Sequence, residues 1–569
     1  MKPNPNKTIL GATLGSCVHV AGLLRFLNLA NEQGYQTFFL PPPNSIPKII
    51  EEIKIRDPEI VALSYRLSPE TASQLLDELQ SLIQQHQLES KTWIFGGTTP
   101  VCKIAQESGI FSKVFHGATI VPEVIEYLRK DDTTGRMASI LYPQNLIERI
   151  LFKRPFPLLR AHFGLPSMEE TLTGLSEIAE AKCLDVISIG PDQNFQESFF
   201  RPQEMKNLEK GAGGVPIRSK EDLIQIHNVT RRGNYPLLRC YSGTRDLTRM
   251  AALLAETINN AWSAIPVFWY SELDGRSQRK LEEAITENLK NFRWHATRNI
   301  PLESNESHHW SLRDAPDTIA VAAAYLAAYN AKKTGIKTYV AQYMMNTPLS
   351  TSPSMDLAKM LAKIDLIESL HDGSFHSIRQ VRTGLFSFPE DPDYARAQLA
   401  SSVQTAMHLH PSIVHVVSYC EATHAATAKE VIESCKIAIK TIDNCLLGTP
   451  DISADYTIVT RREQLKNDAL LLIKAIRRLG KEQSEDPLCN PATLTRAVEL
   501  GLLDAPHLQN NRIAKGKIQS RMKDGACIAI DPDTAQELPE ITRIRLCLEE
   551  ESIDLAFLDE LEITPHMRL

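Results

Sequence analysis

A histidine and several small residues follow the first apolar run of the chain and recur after later ones. Cys17, His19 and Gly22 come just after KTILGATLG (7–15), Ser64 lies in IVALSYR (60–66), and a glycine pair ends TWIFGG (92–97). An imidazole can bind a metal or a polar group, and glycine lets a ligand lie against bare backbone. Taken alone, a histidine at such a place caps a helix or fills a core more often than it binds a ligand.

The first 130 residues contain the elements that must position these groups. Apolar runs alternate five times with segments of helical periodicity, which is typical of a parallel sheet covered by helices on both faces. The runs are 7–15, 37–42, 60–66, 92–97 and 113–118. Five such units predict a flavodoxin-like (Rossmann-type) domain with strand order 2-1-3-4-5, whose ligand site lies at the carboxyl ends of strands one and three.

In that order His19, Ser64 and the glycine pair share one edge of one sheet. Their convergence favours a long ligand with a polar head over a purely structural histidine. The sequence resembles the cobalamin-binding domain of the mutases and of cobalamin-dependent methionine synthase, whose pattern is D-x-H-x-x-G, then S-x-L, then G-G. The matching stretches are Cys17–Gly22, Ser64–Pro69 and Gly96–Thr99. The resemblance covers about the first 125 residues.

This resemblance implies a role for each residue of the three motifs. His19 would be the lower axial ligand of cobalt in place of the dimethylbenzimidazole of the cofactor, and Gly22, Ser64, Gly96 and Gly97 would hold the nucleotide tail. Two positions depart from the pattern. Cys17 stands where an aspartate usually orients the histidine, and Arg66 replaces the leucine of S-x-L. A thiol is a poor acceptor, so the Cys17 position predicts either a less basic His19 with a weaker cobalt bond or an orienting partner from Ser16 or the backbone.

Composition limits the class of protein. The chain has 569 residues, 43% of them hydrophobic, and a net charge of -7 with no basic stretch, so we expect no nucleic-acid partner. Its ten cysteines include no C-x-x-C pair, which is typical of a reduced, cytoplasmic protein. The most apolar window, 319–329, is too short to span a bilayer, so we expect no membrane partner.

A longer alternation of strands and helices fills the middle of the chain. Residues 131–168 mix turn formers and prolines and are predicted to be a linker. The rhythm of 169–481 predicts a (β/α)₈ TIM-like barrel as the catalytic domain. The predicted strands are 184–192, 235–246, 265–274, 292–301, 337–348, 379–386, 413–424 and 455–461.

Polar residues gather at the carboxyl ends of these predicted strands, the face that carries barrel active sites. The candidates for catalysis are Arg239, Tyr241, Arg245, Glu272, Asp274, His295, Arg298, Tyr343 and Glu421. For any one of them, a helix cap or a loop ion pair is an equal alternative.

Residues 180–350 resemble the epsilon (barrel) subunit of glutamate mutase. Its R-H-G-T-P-D motif falls on Tyr241–Asp246, and its H-x-N-R-E-P-like stretch falls on His295–Pro301. The resemblance implies that Arg298 clamps a substrate carboxylate, with Arg239 or Arg245 as a second cation. Tyr241 stands where that family has another arginine.

Residues 482–569 are predicted to be a small α/β domain that caps the barrel or joins two chains as a homodimer. A barrel that follows a cobalamin domain directly, with no helical cap module before the sheet, resembles the mutases. We therefore expect an adenosylcobalamin-dependent isomerase for a small carboxylate, with adenosylcobalamin favoured over methylcobalamin. A corrinoid-dependent methyltransferase and a cobalamin carrier or sensor without turnover are the alternatives.

Overall fold

The computed structural model describes residues 8–117, 119, 123–124, 127–128, 142–207, 210–384, 387–481 and 484–549. The chain divides into two compact units, residues 1–137 and 138–569. The end of the predicted strand 113–118, most of the following helical segment, and residues 131–141 and 550–569 lie outside the described residues.

The first unit is a five-stranded parallel sheet in the order β2-β1-β3-β4-β5, which confirms the flavodoxin-like prediction. Its strands are β1 Thr8–Thr13, β2 Gln36–Leu40, β3 Ile60–Tyr65, β4 Thr92–Gly97 and β5 Lys113–His116. Its described helices are α1 Ala21–Glu32, α2 Ile46–Arg56, α3 Pro69–Gln85 and α4 Thr99–Glu107. Proline stands in the first turn of α2, α3 and α4, where its missing N–H costs nothing.

One apolar core of this unit lies between the sheet and α2, α3 and α4, and buried residues such as Ile9 and Ile94 line the opposite face. Alternate residues of the strands, such as Leu10, Leu63 and Phe95, pack against α2, α3 and α4. The intervening residues point to the other face. There the close approach of α1 requires a residue without a side chain, because a Cβ at Gly11 would lie 2.6 Å from a methyl carbon of Leu27.

The second unit contains eight parallel strands in a ring that follows sequence order. The strands are β6 Leu158–Phe163, β7 Val186–Ile189, β8 Leu237–Cys240, β9 Ser263–Ala264, β10 Leu302–Glu303, β11 Thr338–Met344, β12 His376–Arg382 and β13 Ile413–His415. β13 pairs with β6, and a 2.9 Å hydrogen bond from the Ala261 N–H to the Leu238 carbonyl continues the ring between β8 and β9. This is the predicted barrel architecture.

Helices follow the strands around the outside of the barrel. In chain order they are α5 Leu146–Lys153, α6 Met168–Glu180, α7 Gln193–Ser198, α8 Lys220–Val229, α9 Leu247–Ile258, α10 Leu281–Ala296, α11 Glu306–Ser311, α12 Asp317–Lys333, α13 Pro353–Glu368, α14 Pro392–Met407, α15 Ala428–Leu446 and α16 Tyr456–Leu479. Capping boxes at Ser219 and Thr427 fix the starts of α8 and α15.

Three of the eight predicted barrel strands are wrong. Residues 265–274 begin immediately after β9 Ser263–Ala264 and form no strand. Residues 292–301 begin inside α10, and 455–461 form the start of α16. The strands that replace these two are β10 and β6, and β6 lies within the predicted linker 131–168. The predicted number of strands therefore agrees with the structure, but several of the predicted segments do not. The barrel also begins earlier than the predicted boundary at 169, because β6 is its first strand.

Residues 484–549 belong to the same compact unit as the barrel. They form α17 Pro491–Glu499, the antiparallel hairpin β14 Gln519–Lys523 and β15 Ala526–Ile530, and α18 Glu540–Leu548. The hairpin is tied to the outer helices, because the Ser352 N–H donates to the Gly525 carbonyl at 3.0 Å and the Cys527 N–H donates to Asp317 at 3.1 Å.

Across the described part of the chain, no helix combines the length and the apolar character needed to cross a membrane.

Candidate functional sites

The first candidate site lies at the carboxyl edge of the five-stranded sheet. In the strand register Thr13 neighbours Ser64, and Ser64 neighbours Gly96. All three alternate with the core residues and so share the face on which α1 packs. The structure thus brings the S-x-L and G-G motifs to adjacent positions at one edge.

His19 lies in the loop between β1 and α1 and is exposed, whereas Cys17 beside it is fully buried. The Cys17 Sγ lies 3.7 Å from the His19 Nδ1. This contact engages one ring nitrogen and leaves Nε2 for another ligand. Cys17 therefore occupies the position of an orienting partner, although a thiol binds an imidazole weakly.

The glycines at this edge differ in how much space lies beside their Cα atoms. A Cβ added to Gly97 would lie 2.5 Å from the Tyr65 carbonyl oxygen, so the sheet itself requires glycine there. Within the described residues, a Cβ at Gly22 would meet no atom within 4 Å, and one at Gly96 would meet only the Phe115 carbonyl at 3.9 Å. The free space at Gly22 and Gly96 can admit a ligand against the backbone. Arg66 follows β3 and is exposed.

The second candidate site is the interior of the barrel, where polar side chains occupy alternate strand positions. Arg160 Nη1 donates to Glu303 at 3.1 Å and to Gln380 at 2.7 Å. Arg239 Nη2 lies 3.4 Å from the same carboxylate, and Trp262 Nε1 donates to it at 2.6 Å. Arg160, Arg239 and Glu303 are almost completely buried.

Positive charge exceeds negative charge in this interior. Burial lowers the pKa of Arg160 to about 9, and Arg239 adds to that effect. Burial alone would raise the pKa of Glu303, but Arg160 and Arg239 outweigh it and hold the value below the ordinary one. One carboxylate therefore faces two guanidinium groups, and Arg382 on β12 adds a third whose charge also reaches Arg160.

Several donors of these arginines have no partner within the described residues. They are Nε and Nη1 of Arg239 and Nε of Arg382, all buried. Unpaired buried donors are costly and mark a place where a ligand completes the hydrogen bonding. Planar guanidinium groups fit a carboxylate with paired hydrogen bonds. The barrel interior is therefore suited to a small anion.

A chain of three aromatic side chains runs beside these arginines. The Tyr241 hydroxyl lies 2.8 Å from the His162 Nε2, and the His162 Nδ1 lies 3.1 Å from the His415 Nε2. The His415 Nδ1 is buried without a protein partner among the described residues. Burial and then Arg160 lower the pKa of both histidines well below the ordinary value, so both are neutral at neutral pH. Such a chain can hold or pass a proton.

Three of the predicted catalytic residues belong to this interior or its rim. Arg239 and Tyr241 are brought together, with the guanidinium 4.7 Å from the centre of the phenol ring. Glu421 follows β13, and its pKa is raised because burial outweighs the opposing charge of Arg382. Sequence reasoning thus found part of the site.

Three other predicted residues lie in the loops after β8 and β9 but are engaged elsewhere. Arg245 donates to Glu204 at 2.7 Å. Glu272 pairs with Lys280 at 2.9 Å and accepts the first N–H of α10, so it serves as a helix cap. Asp274 accepts the N–H of Ser271 at 3.2 Å and lies 3.7 Å from Arg276 in its own loop and 3.9 Å from Arg313, which follows α11.

The structure places the side chains of the last three predicted residues outside the barrel interior. His295 is buried on α10, where its Nε2 meets the Ser263 hydroxyl at 2.7 Å. Arg298 is exposed ahead of β10 and stacks on Trp294. Tyr343 lies at the carboxyl end of β11 but alternates with the inward Gln342, so its fully buried ring lies towards Glu368 of α13 and Arg379 of β12. The corrections for His295 and Arg298 follow from helix α10, which occupies the start of the predicted strand, and that for Tyr343 follows from the alternation of side chains along β11.

Sequence reasoning missed most of the interior polar residues. They are Arg160, His162, Glu303, Gln342, Gln380, Arg382 and His415. The available signal was a polar residue at every second position of an otherwise apolar segment, as in LLRAHF (158–163) and RQVR (379–382). His308 and His309 are buried on α11, where the His308 Nδ1 lies 2.7 Å from the Gln342 Nε2.

No protein-family model and no curated protein matches this sequence. Among solved structures, a cobalamin-binding protein from Desulfitobacterium hafniense DCB-2 is 25% identical over 19% of this chain and 52% of its own, with a TM-score of 0.18. A Rubisco-like protein from Rhodopseudomonas palustris is 10% identical over 54% of this chain and 71% of its own, at 0.30.

A third solved structure is that of OxsB, a cobalamin-dependent S-adenosylmethionine radical enzyme. It is 12% identical over 82% of this chain and 56% of its own, with a TM-score of 0.21. The aligned part spans about half of the first and third of these proteins. TM-scores at this level are too low to establish a shared fold or a shared activity.

Proposed function

We propose that residues 1–137 bind cobalamin, with the His19 Nε2 as the axial ligand of cobalt. The observation that carries this proposal is the pairing of the His19 Nδ1 with the buried Cys17 Sγ, which leaves the other ring nitrogen of an exposed imidazole available. Metal-bound histidines are oriented through their second nitrogen in this way.

The same edge supplies room for the rest of the cofactor. Gly22 and Gly96 leave open space beside the backbone, and Ser64 offers a hydroxyl next to Gly96 in the register. These residues would hold the nucleotide tail against the face of the sheet that α1 covers. The exposed Arg66 at the end of β3 would meet a polar part of the tail.

We further propose that the barrel is the catalytic part of an isomerase for a small carboxylate, working in the cytoplasm. Adenosylcobalamin, when bound, supplies radical chemistry through homolysis of its cobalt–carbon bond. Arg239 and Arg382, whose buried donors lack partners in the described chain, would bind the substrate carboxylate, with Arg160 held beside them by Glu303. Arg298, predicted for that role, is replaced by these interior arginines.

The remaining interior residues would orient the substrate and manage its protons. His415 presents an unpaired Nδ1, and the path through His162 to Tyr241 would hold a proton at that atom or withdraw it. The unpartnered guanidinium donors favour an enzyme over a carrier or sensor without turnover. Buried donors without partners are costly, and a bound substrate would supply the missing acceptors.

Spectroscopy of the reconstituted full-length chain tests the cofactor site. We expect a base-off, His-on corrinoid spectrum, which His19→Ala should convert to a base-off spectrum without nitrogen ligation. His86→Ala, at the far end of α3, is the matched control and should leave the spectrum unchanged. An unaltered spectrum and affinity in His19→Ala would refute the assignment.

A second experiment separates the possible reactions. The holoprotein is incubated anaerobically with adenosylcobalamin and a panel of amino and hydroxy carboxylates, and electron paramagnetic resonance is recorded. A coupled cobalt–radical signal that disappears in Arg382→Met supports the isomerase. A cycle of demethylation and remethylation with methylcobalamin would instead identify a methyltransferase, and silence in both assays would identify a carrier or sensor.

A further inference from the structure

A second cluster of metal-binding residue types lies at the carboxyl face of the barrel, on the loop after β13 and the first turn of α15. In this cluster one ligand atom from each of Cys420, His424 and Glu430 lies within 4.8 Å of the others. Cys420 is buried, the Glu430 side chain is 18% exposed, and the His424 side chain is 54% exposed. A sulfur, a nitrogen and an oxygen donor thus meet at the surface of the protein.

The atoms that would not bind a metal already have partners. The His424 Nδ1 lies 2.9 Å from the Thr423 hydroxyl. The Glu430 Oε2 accepts the N–H and the hydroxyl of Thr427, each at 2.9 Å, as part of the capping box of α15. Partners of this kind orient the ligands of metal sites. They leave the Cys420 Sγ, the His424 Nε2 and the Glu430 Oε1 to face one another.

The closest pair of ligand atoms in the cluster is a ring nitrogen facing a carboxylate oxygen. The Thr423 hydroxyl lies 2.9 Å from both the Cys420 carbonyl oxygen and the His424 Nδ1, and when it donates to the carbonyl it accepts from the Nδ1–H. In a neutral imidazole Nε2 then carries a lone pair, yet it lies 2.8 Å from the Glu430 Oε1, which is also an acceptor. Two facing acceptors require a cation or an extra proton between them.

We propose that Cys420, His424 and Glu430 bind a divalent transition metal ion of the zinc type. Mixed sulfur, nitrogen and oxygen donors suit zinc, and three protein ligands leave the fourth tetrahedral position open for water or a thiol. The exposed His424 can move outwards by about half an ångström to reach zinc distances. The site shares its loop with Glu421, whose carboxyl faces Arg382 in the barrel, so the metal would also fix that loop.

Metal binding to the full-length chain before any corrinoid is added tests this proposal independently of the cobalamin site. The chain is treated with a chelator, titrated with Zn²⁺ and analysed for metal content, and Co²⁺ serves as a spectroscopic probe. We expect one ion per chain and a thiolate-to-cobalt charge-transfer band. Cys420→Ser and His424→Ala should each weaken Zn²⁺ binding at least about tenfold, and Cys420→Ser should remove the band.

Matched substitutions outside the cluster, Cys445→Ser and His376→Ala, should leave binding unchanged. Thermal unfolding of each variant without metal shows whether it is folded, and Cys420→Ser is the conservative change if His424→Ala fails to fold. Absence of stoichiometric Zn²⁺ would overturn the proposal and identify His424–Glu430 as a charged pair only. Binding by Cys420→Ser equal to that of the unaltered chain would also overturn it.

Discussion

The two candidate sites differ in how far their polar groups are exposed to solvent. At the sheet edge of the first unit, His19 and Gly22 are exposed, and the surrounding space is open. In the barrel, Arg160, Arg239 and Glu303 are buried within the ring of strands. An exposed edge suits a large ligand that brings its own surface, whereas a buried charged interior suits a small ligand that replaces missing hydrogen-bond partners.

This difference has an energetic side. Exposed groups keep their hydration and cost the folded state little, so the first unit can lose an exposed site residue such as His19 without losing its fold. Buried charges are stable only as a set, because each depends on partners in a poorly solvated interior. We therefore expect substitutions in the barrel interior to change the free energy of unfolding, and substitutions at the sheet edge to change ligand binding.

The largest effect should come from Glu303→Gln. The change leaves Arg160 and Arg239 buried without their carboxylate, and breaking a buried pair costs about 3–5 kcal/mol. Urea unfolding of the full chain measures this loss. Glu52→Gln, which breaks an exposed pair with Arg56 on α2, is the control and should cost about 0.3–0.5 kcal/mol. Equal losses in the two variants would remove the distinction between the sites.

Buried ionisable groups of the barrel unit should also make the free energy of unfolding depend on pH. Burial, aided by Lys359, lowers the pKa of Lys363 from 10.5 to about 7. Between these values the unfolded chain binds more protons than the folded chain, so stability rises with pH from about 7 to about 10. Below pH 7 both states are protonated and the penalty is fully present.

Lys363→Met should therefore stabilise the chain at pH 7 by about 4 kcal/mol and flatten the rise towards pH 10. Unfolding measured at several pH values checks both effects. Lys103→Met, at an exposed position of α4, should change neither the stability nor its pH dependence. A rise towards pH 10 that persists in Lys363→Met would assign it to another group.

A smaller effect is expected from Tyr241→Phe. It removes the partner of the His162 Nε2 at 2.8 Å and should cost about 1–2 kcal/mol. Nitrogen-15 spectra of histidine-labelled protein should show changed tautomer signals for both His162 and His415, since the two rings are linked. Tyr394→Phe alters an exposed ring and is the control. A change confined to His162 would show that no proton path joins the rings.

The smallest effect belongs to Cys17 at the sheet edge. Its thiol is a weak partner for the His19 Nδ1, so Cys17→Ala should weaken corrinoid binding by about 0.5–1 kcal/mol, or roughly two- to fivefold. Cys17→Asp should strengthen it by restoring a carboxylate at that position. Binding titrations measure both, with Cys102→Ala as a buried-cysteine control. Stronger binding by Cys17→Ala than by Cys17→Asp would contradict this role.

Short-range sequence patterns were sufficient for the first unit but not for the barrel. The order of the five-stranded sheet and the convergence of Ser64 and Gly96 follow from the alternation of strands and helices. The barrel strands β9 and β10 have only two residues each, too few to show a period of two. Helix α10 continues to Ala296, and its buried residues recur at helical spacing, so the segment 292–301 could not be a strand.

The interior arginines were missed for a related reason. Arg160 lies in a strand that sequence composition assigned to a linker, and its partners Glu303 and Gln380 come 143 and 220 residues later. Only the closed ring brings these positions together, and no local pattern encodes that closure. Conversely, Arg298 was chosen from a motif, although the strand it was meant to end does not exist.

The hairpin near the end of the described chain joins the charge network of the outer helices. Its Cys527 N–H meets Asp317, which also pairs with Lys359 at 3.1 Å and with Arg461 at 3.3 Å. The hairpin therefore supplies a hydrogen bond to the carboxylate of Asp317, the first residue of α12, which lies more than two hundred residues earlier in the chain. Truncation ahead of residue 519 would expose this network to water and loosen the helices that surround the ring, so the segment is an integral part of the barrel's scaffold.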